Sequence, residues 1–90
     1  MRMKCLTIRI YGKVQGIGFR YSAMQKAEEC GIKGFAHNEP DGSVLMEIEG
    51  DDVPLEQFLA WCREGPAAAK VERLETQEGP LRGFKEFQIL

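Results

Sequence analysis

The spacing of apolar residues changes period along this chain, and that alternation confines the fold more than any other feature. Leu6, Ile8 and Ile10 alternate with Cys5, Thr7, Arg9 and Tyr11, a period of two that predicts a strand over residues 4–11 with one apolar face. The glycine-rich segment Gly12 to Gly18 ends it. From Phe19 the spacing lengthens, and Ala23, Met24, Ala27 and Cys30 fall at helical intervals until Gly31 supplies a left-handed stop. Residues 33–38 and 43–49 return to the period of two. They are joined by Glu39-Pro40-Asp41-Gly42, in which Pro fixes φ early in the turn and Gly accepts a positive φ later. Asp51 or Asp52 caps a second helix with Pro54 in its first turn, and Leu55, Phe58, Leu59 and Cys62 trace one stripe before Gly65-Pro66 stops it. Ala69 to Gln77 reads as a strand, although Val71 and Leu74 break strict alternation. Phe87 and Ile89 lie on a short final strand after a Gly79-Pro80 turn.

Strand, helix, hairpin, helix, strand is the order of an α+β, ferredoxin-like split βαβ sandwich: an antiparallel sheet with two helices on one face. No repeat or low-complexity stretch interrupts it, so a single domain over residues 1–90 is expected. In this topology the first and second strands run parallel with the third between them. The segment after Tyr11 and the strand end near Asn38 therefore share one edge of the sheet.

Fourteen acidic residues are interspersed with twelve basic ones, a net charge of −2 that argues against a basic nucleic-acid footprint or an anionic-membrane surface. No apolar run approaches the roughly 20 residues of a membrane span. Met1-Arg2-Met3-Lys4 leads straight into the alternating pattern without a signal-type stretch, so a soluble, cytoplasmic protein is expected. Cys5, Cys30 and Cys62 are odd in number and form no CxxC pair. They specify neither a disulfide framework nor a zinc site, and Cys30 and Cys62 fall on helix stripes, where a free thiol acts as a small hydrophobe.

The segment Gly12-Lys13-Val14-Gln15-Gly16-Ile17-Gly18-Phe19-Arg20 joins a strand to a helix start, where unpaired backbone N–H groups and the positive end of the helix dipole favour an anion. Gly16 and Gly18 let the backbone curl into a nest, and Arg20 adds a planar fork of donors suited to phosphate oxygens. It is not a nucleotide loop: GxxxxGK[ST] is absent, and Tyr21 stands where G-x-G-x-x-G needs its third glycine. Loop chemistry alone leaves open a plain chain turn with Arg20 in a surface salt bridge. Residue type alone likewise makes Asn38 a turn residue bonding its own backbone before Pro40.

Gly12-x-Val14-Gln15-Gly16-Ile17-x-Phe19-Arg20, followed by a helix and then Gly34-Phe35-Ala36-His37-Asn38 before Pro40-Asp41-Gly42, closely resembles the acylphosphatase family. These are small ferredoxin-like enzymes that hydrolyse carboxyl–phosphate bonds. The likeness is strongest from Tyr11 to Gly50. It implies that Gln15, Gly16, Ile17, Gly18, Phe19 and Arg20 bind the phosphoryl group, that Arg20 is the catalytic arginine, and that Asn38 positions the attacking water. It further implies an acyl phosphate substrate, inorganic phosphate as product, and no metal or cofactor. Ile17 replaces the usual valine, Phe35 an often-seen tryptophan and Ala36-His37 a frequent Val-Arg pair, which leaves substrate preference open.

An acyl phosphate suits so spare a set of residues. Its departing carboxylate has a pKa near 4 and needs no proton donor. The loose transition state of phosphoryl transfer asks for a placed water more than a deprotonated one. His37 neighbours Asn38 but, in a strand, should point to the opposite face as a surface residue. Leu90, at the end of the final strand, is expected to pair with a basic loop residue, and the protein to be a monomer. Two rivals stand beside this. Lys33-Gly34-Phe35-Ala36 begins like the RNA-recognition strand signature before His37 departs from it, and the same cradle could hold phosphate or carbamoyl phosphate without turnover.

Overall fold

Each change of period becomes a change of element in the computed structural model, which describes residues 2–90; Met1, the first residue of the Met1–Lys4 lead-in, lies outside the described residues. The elements are β1 (Met3–Lys13), α1 (Phe19–Cys30), β2 (Lys33–Asn38), β3 (Val44–Asp51), α2 (Asp52–Glu64), β4 (Lys70–Gly79) and β5 (Phe87–Ile89). The five strands form one sheet in the order β4-β1-β3-β2-β5. β3 pairs antiparallel with both β1 and β2, so those two run parallel and their C-terminal ends coincide. α1 packs on β2 and β5, and α2 on β1, β3 and β4. Among the described residues no helix is long and apolar enough to cross a membrane.

The register explains the core. Ile8 stands opposite Met46, which stands opposite Ala36, and Ile10 opposite Val44; all five are fully buried on the face the helices cover. Ala23 and Ala27 of α1 and Leu55, Phe58 and Cys62 of α2 close over them. Burial pushes the Cys62 thiol far up, as it does less strongly for Cys5, where Glu49 and Glu47 add to the effect. Neither is a reactive thiol.

Three features of the sheet differ from the periodicity. β1 continues through Gly12 and Lys13, because β4 still pairs with them. Gly12 (φ 132°) permits this: a Cβ there would lie 2.1 Å from the Lys70 carbonyl oxygen. Tyr11 pairs with Arg73 and Gly12 with Val71, so Glu72 is an extra residue bulged out of β4. That bulge is why Val71 and Leu74, three apart, both reach the core side. The third difference is β5, which pairs parallel with β2, so the sheet is antiparallel except at this edge.

β4 and β5 lie on opposite edges, so the connection over residues 80–86 is not a tight Gly79-Pro80 turn but a crossing of the sheet. Glu49 holds it. Only 5% exposed, its carboxylate accepts N–H bonds from Arg82 at 2.6 Å and from Gly83 and Phe84 at 3.0 Å each. Burial alone would raise this carboxyl's pKa, but the three N–H bonds and the Arg82 charge outweigh it and hold it below the usual carboxylate range. A depressed folded pKa contributes stability that is present above the unfolded value of roughly 4.3 and lost as pH falls through the folded one. Glu49→Gln is expected to lower stability at pH 7 by about 2 kcal/mol. The gap from the wild type should close as pH drops below about 4, as read by urea denaturation across pH.

Candidate active site

The glycine-rich segment hangs between two buried anchors. Val14 is 1% exposed, and Phe19 lies in the core with its ring 5.6 Å from that of Trp61 on α2. Between them the chain must curl outward, and it does so through Gly16 (φ 76°) and Gly18 (φ 77°), both in the left-handed region that other residues avoid. Gly18 is also the N-cap of α1. Having no side chain, it caps nothing, and the first turn carries no acidic residue. Ser22 N–H is the first to find an intrahelical partner, the Gly18 carbonyl at 3.0 Å. The N–H groups of Phe19, Arg20 and Tyr21 precede that bond and are left over, as the geometry of a helix start dictates.

Those groups border a cavity of about 160 Å³ lined by Gly16, Gly18, Phe19, Arg20 and, from the end of β2, Asn38. The parallel run of β1 and β2 brings this about, since both strands deliver their following residues to the same edge. Arg20 donates from Nη1 to the main-chain oxygen of Leu90 at 2.7 Å, so the expected pairing of Leu90 with a basic residue here is made by Arg20 itself. Leu90 N–H in turn donates to the Ala36 carbonyl at 2.9 Å. One guanidinium nitrogen is thereby tied to β5 while the remaining donors stay free for an anion. Among the described residues no cluster of three or more His, Cys, Asp or Glu side chains is placed to hold a metal ion.

Asn38 is not bonding its own turn. The β2–β3 turn is closed by other groups: Glu39 N–H donates to the Ser43 carbonyl, and Ser43 donates N–H and hydroxyl to the Asp41 carboxylate, which holds that carboxyl below its usual range. No hydrogen bond within the protein engages the Asn38 amide among the described residues. His37 projects to the opposite face, where Nδ1 lies 2.8 Å from Glu39 Oε2, with Arg9 on the other oxygen of that carboxylate at 3.0 Å.

The six loop positions divide. Gly16, Gly18, Phe19 and Arg20 border the cavity; the side chains of Gln15 and Ile17 do not. Ile17 packs against the core. Gln15 donates from Nε2 to two carbonyl oxygens of the β2–β3 turn, Glu39 at 2.7 Å and Ser43 at 2.9 Å. Its amide fastens the loop to the strand pair that carries Asn38, a role that no spacing in the sequence discloses. The position needs a donor, so Gln15→Glu, which sets a carboxylate against two carbonyls, is expected to destabilise the fold more than Gln15→Ala does. Removing the side chain should cost about 1–3 kcal/mol. Thermal melting at pH 7 compares the two.

A family model described as Acylphosphatase matches residues 6–89. An acylphosphatase of Methylococcus capsulatus is 43% identical over 89 residues, spanning 98% of this chain and 97% of its own. Among solved structures, that of the acylphosphatase from Bacillus subtilis superposes with a TM-score of 0.94 at 30% identity, covering 99% of each chain. Full-length HypF in a phosphate- and nucleotide-bound form matches with a TM-score of 0.92 at 27% identity, over 99% of this chain and 12% of the larger one.

Proposed function

The chain belongs to the acylphosphatase family and hydrolyses acyl phosphates, and we propose that it does so in the cavity between the start of α1 and Asn38. The free N–H groups from Gly16 to Tyr21 and the Arg20 guanidinium take the phosphoryl oxygens, while the Asn38 amide holds the attacking water. What carries this assignment is the meeting, around one small cavity, of an uncapped helix start, a guanidinium and an uncommitted amide. Gln15 and Ile17 serve the phosphoryl group through the backbone they place rather than through their side chains.

In the reaction the water oxygen bonds to phosphorus as the P–O bond to the acyl oxygen breaks. The electron pair leaves with the carboxylate, and the water protons pass to inorganic phosphate and solvent. Charge accumulates on the equatorial oxygens, where donors already in place act as an oxyanion hole does for an acyl carbon. Because amides and a guanidinium supply that stabilisation and the leaving group needs no acid, the chemistry asks for no metal or other cofactor. The protein acts as a monomeric cytoplasmic domain over residues 1–90 without a nucleic-acid partner. Against a nucleic-acid partner, Arg9, Arg73 and Arg82 on the open sheet face are offset by Glu39, Glu75 and Glu47.

Arg20→Ala and Asn38→Ala are each expected to lower kcat for benzoyl phosphate by roughly 10²-fold or more with the melting transition retained. Added chelator should leave the wild-type rate unchanged. Near-normal turnover by either folded variant removes that residue from the mechanism, and phosphate binding without release of phosphate from the substrate makes the cradle a binding site only.

A further inference from the structure

We propose that Tyr21 and Ile89 form an acyl subsite that selects acyl phosphates with an uncharged, apolar acyl group, aromatic or branched, over those bearing a second anionic group. The inference rests on the phosphoryl site assigned above. Both residues line the same cavity as Arg20 and Asn38, and both are exposed, Tyr21 at 56% and Ile89 at 38%. At about 160 Å³ the cavity falls well short of the roughly 300–1,000 Å³ that enclose a drug-sized ligand. It suits a phosphoryl group, and the acyl part must then lie along the rim, where these two side chains stand.

Their placement follows from the hydrogen bond between Arg20 and Leu90. Tyr21 follows Arg20 on α1, and Ile89 precedes Leu90 on β5, so the 2.7 Å bond from the guanidinium to the Leu90 oxygen fixes the bases of both side chains about the phosphoryl pocket. An apolar acyl group laid between them removes apolar surface from water on both partners, and an aromatic one stacks on or meets the edge of the Tyr21 ring. A second anion would find a poor setting. Among the described residues Arg20 is the one cationic residue lining the cavity, and in the proposed site it is already committed to the phosphoryl oxygens and to Leu90.

The test compares kcat/KM for benzoyl, acetyl and succinyl phosphates, the last carrying a free carboxylate. The wild type should favour benzoyl over acetyl phosphate and disfavour succinyl phosphate. Tyr21→Ala and Ile89→Ala should each reduce the benzoyl-to-acetyl ratio by about fivefold, whereas Tyr21→Phe, which keeps the ring, should preserve it. An unchanged ratio in both alanine variants, a wild-type preference for succinyl phosphate, or a loss in Tyr21→Phe equal to that in Tyr21→Ala overturns the subsite. These results are distinct from failure of the underlying site, which would appear as acetyl phosphate turnover indifferent to Arg20→Ala.

Discussion

A helix that begins without a capping side chain has amide hydrogens to spare, and where those of α1 point governs the rest of this molecule. Elsewhere such groups are met by Ser, Asp or Asn at the cap or by a carboxylate in the first turn. α2 also lacks a side-chain capping bond, its N-cap Asp51 making none, so the expected cap is not formed, but Asp52 puts a carboxylate in its first turn, while α1 has glycine at the cap and no acid. The unmet donors are tolerable because they face an open hollow, which Arg20 also lines. Satisfying them within the chain would stabilise the fold and remove the site.

Everything around this helix start serves to keep it open at the right distance from Asn38. Val14 and Phe19 sink the two ends of the loop into the core, so the intervening residues bulge outward regardless of ligand. Gln15 then ties that bulge to the β2–β3 turn, so the loop and the strand pair that carries the asparagine are hydrogen-bonded to each other. Preorganisation of this kind is what electrostatic catalysis requires, since donors that must be moved into place forfeit much of their advantage.

The periods of apolar residues disclosed most of the fold because each element buries only one face, and a one-faced element must repeat at its own pitch. Arg20 and Asn38 stood out as site candidates only with the help of a family likeness, since a guanidinium after a glycine-rich turn and an asparagine before a proline each have an ordinary structural explanation. Some features had no local signal at all. The parallel partner of β5 depends on where residues 80–86 cross, which Glu49 determines from far away in sequence. The bulged Glu72 was visible only as a fault in alternation at Val71 and Leu74. Gln15 looked like a ligand because its side-chain partners, the carbonyls of Glu39 and Ser43, are backbone atoms that any residue would present.

β5 is three residues long, paired with β2 alone, and reached by a crossing fastened mainly by the Glu49 carboxylate, with Arg82 also paired to Glu47. Short edge segments of that kind open at lower free energy than the strands they flank. Since Arg20 is braced by the oxygen of Leu90, just beyond β5, the set of the proposed catalytic arginine depends on the margin of the sheet rather than on its centre. A population of molecules with β1, β2 and β3 intact but this margin detached would look folded to a spectroscopic probe of the sheet while its arginine swung free.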